Sequence, residues 1–205
     1  MEPLFDALAV TALLNEAVER WHSGPISNEE QDPFLGLALA SQGDNFQIWH
    51  EEDKARDPAA GTETIARVKR NIDKLNQQRN DAMERIDEFV VEELQRRRVR
   101  PGPAAPLHSE SVGSIVDRLA ILALKIYHMR EEAGREDAGA EHVRACADKL
   151  AVLEEQQADL AGCLDALQES LCRGQTRFKV YRQMKMYNDP ALNPVLYGKG
   201  GQESD

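Results

Sequence analysis

The chain is poor in cysteine, in aromatic residues and in every short signature that carries chemistry by itself. Its three cysteines, Cys146, Cys163 and Cys172, lie in a helical pattern with no CxxC. That usage fits a reducing intracellular compartment and small apolar packing groups, not zinc ligands or a disulfide frame. HExxH, GxxxxGK(S/T) and GxGxxG do not occur, Gly113-Ser114 is not part of a GxSxG elbow, and no cysteine sits in a nucleophile motif. A ferritin-like di-metal centre needs Glu-x-x-His on two helices, and the one such pair, Glu19–His22, falls at a helix end. No uncharged apolar run approaches the roughly 20 residues of a membrane span. The N-terminus has no basic region and carries Asp6 early in its apolar stretch, so no secretory leader is expected. Nowhere do polar and apolar residues alternate as in a strand. What these absences leave is a cytoplasmic, all-α protein without a membrane span.

At 205 residues the chain suits one domain with a sizeable core, and its 41% hydrophobic and 30% charged residues exclude broad disorder. A net charge of −11 argues against a nucleic-acid partner, whose binding would rest on phosphate neutralisation. The one basic run, RRRVR at Arg96–Arg100, ends a long helix, where cations complement the dipole.

The pattern organises around Ser109–Met129, read as a helix that is apolar except for a narrow stripe. At about 100° per residue, Ser114, Asp117, Arg118, Lys125 and His128 fall within roughly a quarter-turn, with Ile121 among them. A helix so apolar is expected at the centre of the fold. Around it the spacing predicts an amphipathic helix over 3–22 and another that starts at Asp32-Pro33 and continues or restarts at Gly43 through Asn45–Arg56. A long helix is predicted over 62–98 and a leucine-repeat helix over 141–172, with a polar loop at Glu131–Ala140. Leu150, Leu153, Gln157, Leu160, Leu164, Leu167 and Leu171 form that repeat, with Gln157 its one polar member. The expectation is a single-domain bundle of about five main helices over 1–197. It carries an aromatic tail docked at 178–197 and ends in a flexible tail at 198–205.

Arg79 falls on the core-facing stripe of the long helix, where an unpaired guanidinium would cost several kcal/mol. Its candidate partners are Asp117, Glu51, Asp53 or a bound phosphate, so it is a brace between helices, a ligand contact, or a side chain that reaches past the apolar stripe to solvent. A second cluster, WHEEDKAR, contains His50, Glu51, Asp53 and Arg56, and a polar flank of the long helix contains Lys69, Asp73, Asn76, Asn80 and Asp87. If the apolar stripes of these helices face one another, their polar flanks converge on a site for an anionic small molecule, such as a sugar phosphate or sugar nucleotide. In that arrangement Arg79, Arg118, Lys125 and Lys69 hold phosphate, while Asn76 and Asn80 read hydroxyls or a metal's waters. His50 or His128 moves a proton, with Asp117 in the catalytic group, and Asp53, Glu51 and Asp73 are the candidate ligands for Mg²⁺. The competing reading is an accessory or scaffold protein with a buried ion-pair network. Its protein partner, or a second copy of the chain, would meet the leucine repeat at 150–171 or the tail at 178–197.

WHEEDKAR, IDKLNQQRND, SESVGSIVDRLAILALKIYHM and KMYNDPALNP, in that order, resemble an uncharacterised bacterial family, domain of unknown function 4254. The resemblance spans roughly Asn45 to Leu196 and implies no established activity or catalytic residues. It does imply a setting, the neighbourhood of bacterial cell-surface glycan and glycosyltransferase functions. GSIVDRLAILALK is also similar to a segment found beside some sugar-handling proteins.

Overall fold

The structure is a computed structural model that describes residues 2–182 and Leu192. Five helices follow in order: α1 Ala7–Ser23, α2 Pro33–Arg56, α3 Thr62–Arg96, α4 Val112–Ala133 and α5 Ala140–Cys172. The protein is all-α, as its periodicity predicts, and no strand occurs among the described residues. A single parallel bridge joins Leu107 to Arg177.

Each helix begins where its capping chemistry puts it. Asp6 accepts from the backbone N–H groups of Leu8 and Ala9, so α1 starts four residues later than periodicity suggests. Asp32 caps α2 with Pro33 at its first turn. Gly43 does not interrupt α2; it is buried, with Ile26 and Trp21 at 3.6 and 3.8 Å from where a Cβ would lie. Ser111 caps α4, which then runs to Ala133, four residues beyond the expected end. Gly174, with φ +66, follows the last turn of α5 in the left-handed region that glycine tolerates.

Side-chain pairs fix the directions. Phe5 stacks on Phe34 at 4.1 Å and His22 meets His50 at 5.2 Å, so α1 and α2 run parallel. The return connection, residues 24–32, can reach about 30 Å when extended, enough to run back along the ~25 Å of α1. Asn71 bonds Glu51 while Asp87 reaches Gly113, which sets α3 antiparallel to α2 and α4. Asn15 and Gln157 exchange two amide bonds at 3.1 and 3.0 Å, and Gln168 accepts from the Leu4 and Phe5 N–H groups; α5 therefore runs antiparallel to α1.

α4 is the centre, as its composition predicts, and packs on all four other helices. Val112, Val116, Leu119, Ala120 and Leu124 are all but inaccessible. At its N-terminal end Gly113 lies directly against α3, where a methyl group would collide with the Met83 carbonyl. The Gly113 N–H donates to buried Asp87 at 2.7 Å. In the leucine repeat Leu160, Leu164, Leu167 and Leu171 are buried in the core, so most of the surface proposed for a partner is already used internally. Of the expected aromatic tail, Phe178 packs against the core and Arg182 bridges Glu84 and Glu88 on α3. Tyr181 is exposed, and residues 183–191 and 193–205, including the expected flexible 198–205, lie outside the described residues.

Candidate functional site

The question posed by Arg79 has a geometric answer. Its Nε and one terminal nitrogen donate to the two oxygens of Asp117, each at 2.6 Å, and the Asn45 amide donates to the same carboxylate at 2.9 Å. The Asp117 side chain is 5% exposed and that of Arg79 26%. The paired carboxylate, chiefly through these hydrogen bonds, holds the guanidinium pKa above its ordinary value against the opposing effect of burial. These three bonds join α2, α3 and α4 through one carboxylate, and none of them involves a histidine.

The polar flanks do not converge on this pair. Arg118 and Lys125 turn toward α5 and line a groove with Gln156, Asp159 and Cys163, where Arg118 is paired with Glu110. Asn80 lies beside Asp87, Ser111 and Ser114 near the start of α4. Lys69 and Asp73 are exposed on α3, and Asn76 is half-buried. Asp53 is exposed and 3.8 Å from Arg56. The trio Glu51, Asp53 and Asp73 does not fit a Mg²⁺ site: Glu51 is engaged by Lys54 and Asn71, and Asp53 faces solvent. Among the described residues no group of three or more His, Cys, Asp or Glu could hold a metal ion.

Two of the expected residues, His50 and Glu51, do share a cavity. Asp44, Gln47, Glu51 and Lys54 recur at helical spacing along α2, and Asn71, Lys74, Leu75 and Gln78 do so along α3. Together with Ile26, Phe46 and His50 they bound an open cleft of ≈540 Å³. Glu51 accepts from Lys54 at 2.6 Å and from Asn71 at 3.2 Å, and the Lys54 bond above all holds its carboxyl below the usual range. Asp44 is pushed the other way, up to about 6, because burial outweighs the attraction of Arg85, and Asp81 adds repulsion. His50 is held below its ordinary value first by burial, then by the neighbouring rings of His22 and His128. An imidazole held below its ordinary value and a carboxyl raised to about 6 thus face one cleft, with two ammonium groups at its edges. Groups perturbed in opposite senses within one concavity can exchange protons with a bound molecule.

Behind His50, α4 and α1 contribute. His128 stacks on Trp49 at 4.8 Å and pairs through Nδ1 with Glu131 at 3.0 Å, while His22 stacks on Tyr127 at 3.9 Å. His50 touches this group but His128 does not line the cleft.

A family model described as Protein of unknown function (DUF4254) matches residues 37–180. The chain belongs to that family. No curated protein and no solved structure matches it. The DUF4254 match takes in the whole cleft apart from Ile26 and begins after α1, so the helix that carries His22 lies outside it.

Asp44, Lys74, Asn71 and Gln78 were not among the residues expected from sequence. Asn71, Lys74 and Gln78 lie off the buried stripe of α3, Asp44 sits on a helix without an apolar stripe of its own, and only the α2–α3 register brings them together. Titratable residues at i and i+7, as in Asp44 and Glu51, are the one signal that could have pointed to the α2 wall.

Proposed function

We propose that this DUF4254 chain binds a small polar anion, a sugar phosphate or sugar nucleotide, in the α2–α3 cleft. Lys54 and Lys74 meet the phosphate, the amides of Gln47, Asn71 and Gln78 meet hydroxyls, and His50 accepts a proton from the bound molecule. The observation that carries the reading is the pairing of an uncharged His50 with a raised Asp44 in a cavity edged by cations. In an acidic protein, two exposed lysines beside three amides and the His50 imidazole offer an anion a defined place. The setting we infer is the bacterial cytoplasm, supported by three free cysteines and by the glycan neighbourhood that the family resemblance implies.

Thermal-shift titration of the full chain with UDP-glucose, glucose 1-phosphate and inorganic phosphate, with and without Mg²⁺, tests this. A sugar phosphate or sugar nucleotide is expected to raise the Tm, and Lys74→Ala to weaken its binding about tenfold without changing the unliganded Tm. No shift with any of the three compounds, or equal shifts for the wild type and Lys74→Ala, refutes the cleft as an anion site. A second reading, an accessory protein of a glycan-assembly complex, is favoured by one observation: Arg79 and Asn45 both bond to the Asp117 carboxylate, as in a structural brace.

A further inference from the structure

The cleft uses His50 but leaves unexplained the two histidines behind it. His22, at the end of α1, and His128, near the end of α4, have ring centroids 5.0 Å apart. His22 Nδ1 lies 2.7 Å from the Val18 carbonyl oxygen and His128 Nδ1 3.0 Å from a Glu131 carboxylate oxygen. Each Nδ1 must therefore carry the hydrogen and donate it, which leaves Nε2 as a bare lone pair in the uncharged ring. Both Nε2 atoms are buried and neither has a hydrogen-bond partner. A proton can be added to either ring only at Nε2, where it would create a buried N–H with no acceptor.

We infer that His22 and His128 form an acid-sensitive latch, which holds the C-terminal ends of α1 and α4 against α2 only while both rings are uncharged. The surroundings supply little compensation for charge. On α1 the nearby carboxylate is Glu19, which is within 3.5 Å of Arg130 on α4. Arg130 also pairs with Glu154 of α5 at 3.1 Å. On α4 Glu131 serves both His128 and the Tyr127 hydroxyl. α2 presents His50, on which Asp53 and Lys54 act in opposite directions. Of the two imidazoles Glu131 thus answers His128 alone, and His22 Nδ1 meets a neutral carbonyl. The stacked faces of Tyr127 and Trp49 would favour a cation modestly, but two charges with ring centroids 5.0 Å apart repel each other. The rings are also the packing: His22 contacts Phe46, His50, Tyr127 and His128. Expelling it to solvent frees the end of α1 and the rear of the cleft wall formed by Phe46 and His50. The latch does not depend on what the cleft binds.

Ring ¹⁵N NMR and amide exchange on the full chain test it between pH 7.5 and 5.5. At pH 7.5 both rings are expected as Nδ1–H tautomers. At pH 5.5, after correction for intrinsic rates, amides of 18–23 and 125–131 are expected to exchange at least tenfold faster than at pH 7.5, with 82–90 of α3 unchanged. In the His22→Phe/His128→Phe variant, which keeps the stacking, that acid-dependent rise is expected to vanish. An Nε2–H on either ring at pH 7.5 overturns the inference, as does unchanged protection at pH 5.5 or a rise that survives in the double variant. Should the variant fail to fold, the wild-type tautomers and exchange rates decide alone.

Discussion

Removing the Arg79 guanidinium isolates the most buried ion pair among the described residues. In Arg79→Ala the Asp117 carboxylate, 5% exposed, would keep only the Asn45 amide of its three donors. Breaking a buried pair on one side costs about 3–5 kcal/mol. Because Arg79 itself is 26% exposed and water can enter the space it leaves, the lower end, about 3 kcal/mol, applies here. For a domain of this size that is a fall in Tm of about 6–12 °C. The matched control is Arg79→Met/Asp117→Leu, which removes both charges together and leaves Asn45 its bond to the Ser41 carbonyl at 3.0 Å. This double variant is expected within about 1 kcal/mol of the wild type. Urea denaturation at pH 7.5 measures both. An Arg79→Ala protein within 1 kcal/mol of the wild type, or a double variant less stable than the single one, would refute the brace. Loss of ligand-induced stabilisation in an Arg79→Ala protein of unchanged stability would instead make Arg79 a ligand contact.

Asp44→Asn should stabilise the fold above neutral pH. With a folded pKa raised to about 6, Asp44 favours folding fully below its unfolded value and loses that contribution as pH rises through 6. After discounting for partial solvent screening the variant is expected to gain about 1 kcal/mol at pH 8 and nothing at pH 4; equal effects at both pH values in urea titrations would contradict the assignment. Gly113→Ala forces a methyl group into the Met83 carbonyl of α3. It is expected to destabilise by about 2–3 kcal/mol, and a variant with wild-type Tm by calorimetry would show that α3 and α4 can separate there freely.

Helix number, the central place of α4 and the extent of the leucine-repeat helix were legible because each rests on local chemistry: a cap, an apolar majority, a leucine spacing. Gln157 shows how far such reading goes. As the one polar member of a leucine repeat it demanded a partner, but Asn15 could be found only once α1 and α5 were laid together. Asp117 was one of several named partners for Arg79, and a single helix could not choose among them. The cleft was half legible. His50 and Glu51 stood out in WHEEDKAR, whereas Asp44 and Lys74 gain meaning solely from the packing of α2 on α3. His22 was visible as part of a failed metal motif, and nothing in its spacing announces that the parallel run of α1, α2 and α4 gathers three histidines at one end.

The polar stripe of α4 explains why the expected site divides. Laid out at about 100° per residue, Asp117 and His128 occupy one edge of the arc, Arg118 and Lys125 the other, and Ile121 the middle. A stripe that narrow reads as one surface in sequence. On a central helix with neighbours on every side, however, a quarter-turn is wide enough to straddle two interfaces. The acid and the histidine face inward, to Arg79 on α3 and to the rings of α1 and α2. The cations face the groove shared with α5. An anion held beside His50 therefore draws its positive charge from Lys54 and Lys74, not from Arg118 and Lys125. Arg118→Ala and Lys74→Ala thus probe different surfaces, and loss of sugar-phosphate binding in the second alone is what separates the cleft from the groove.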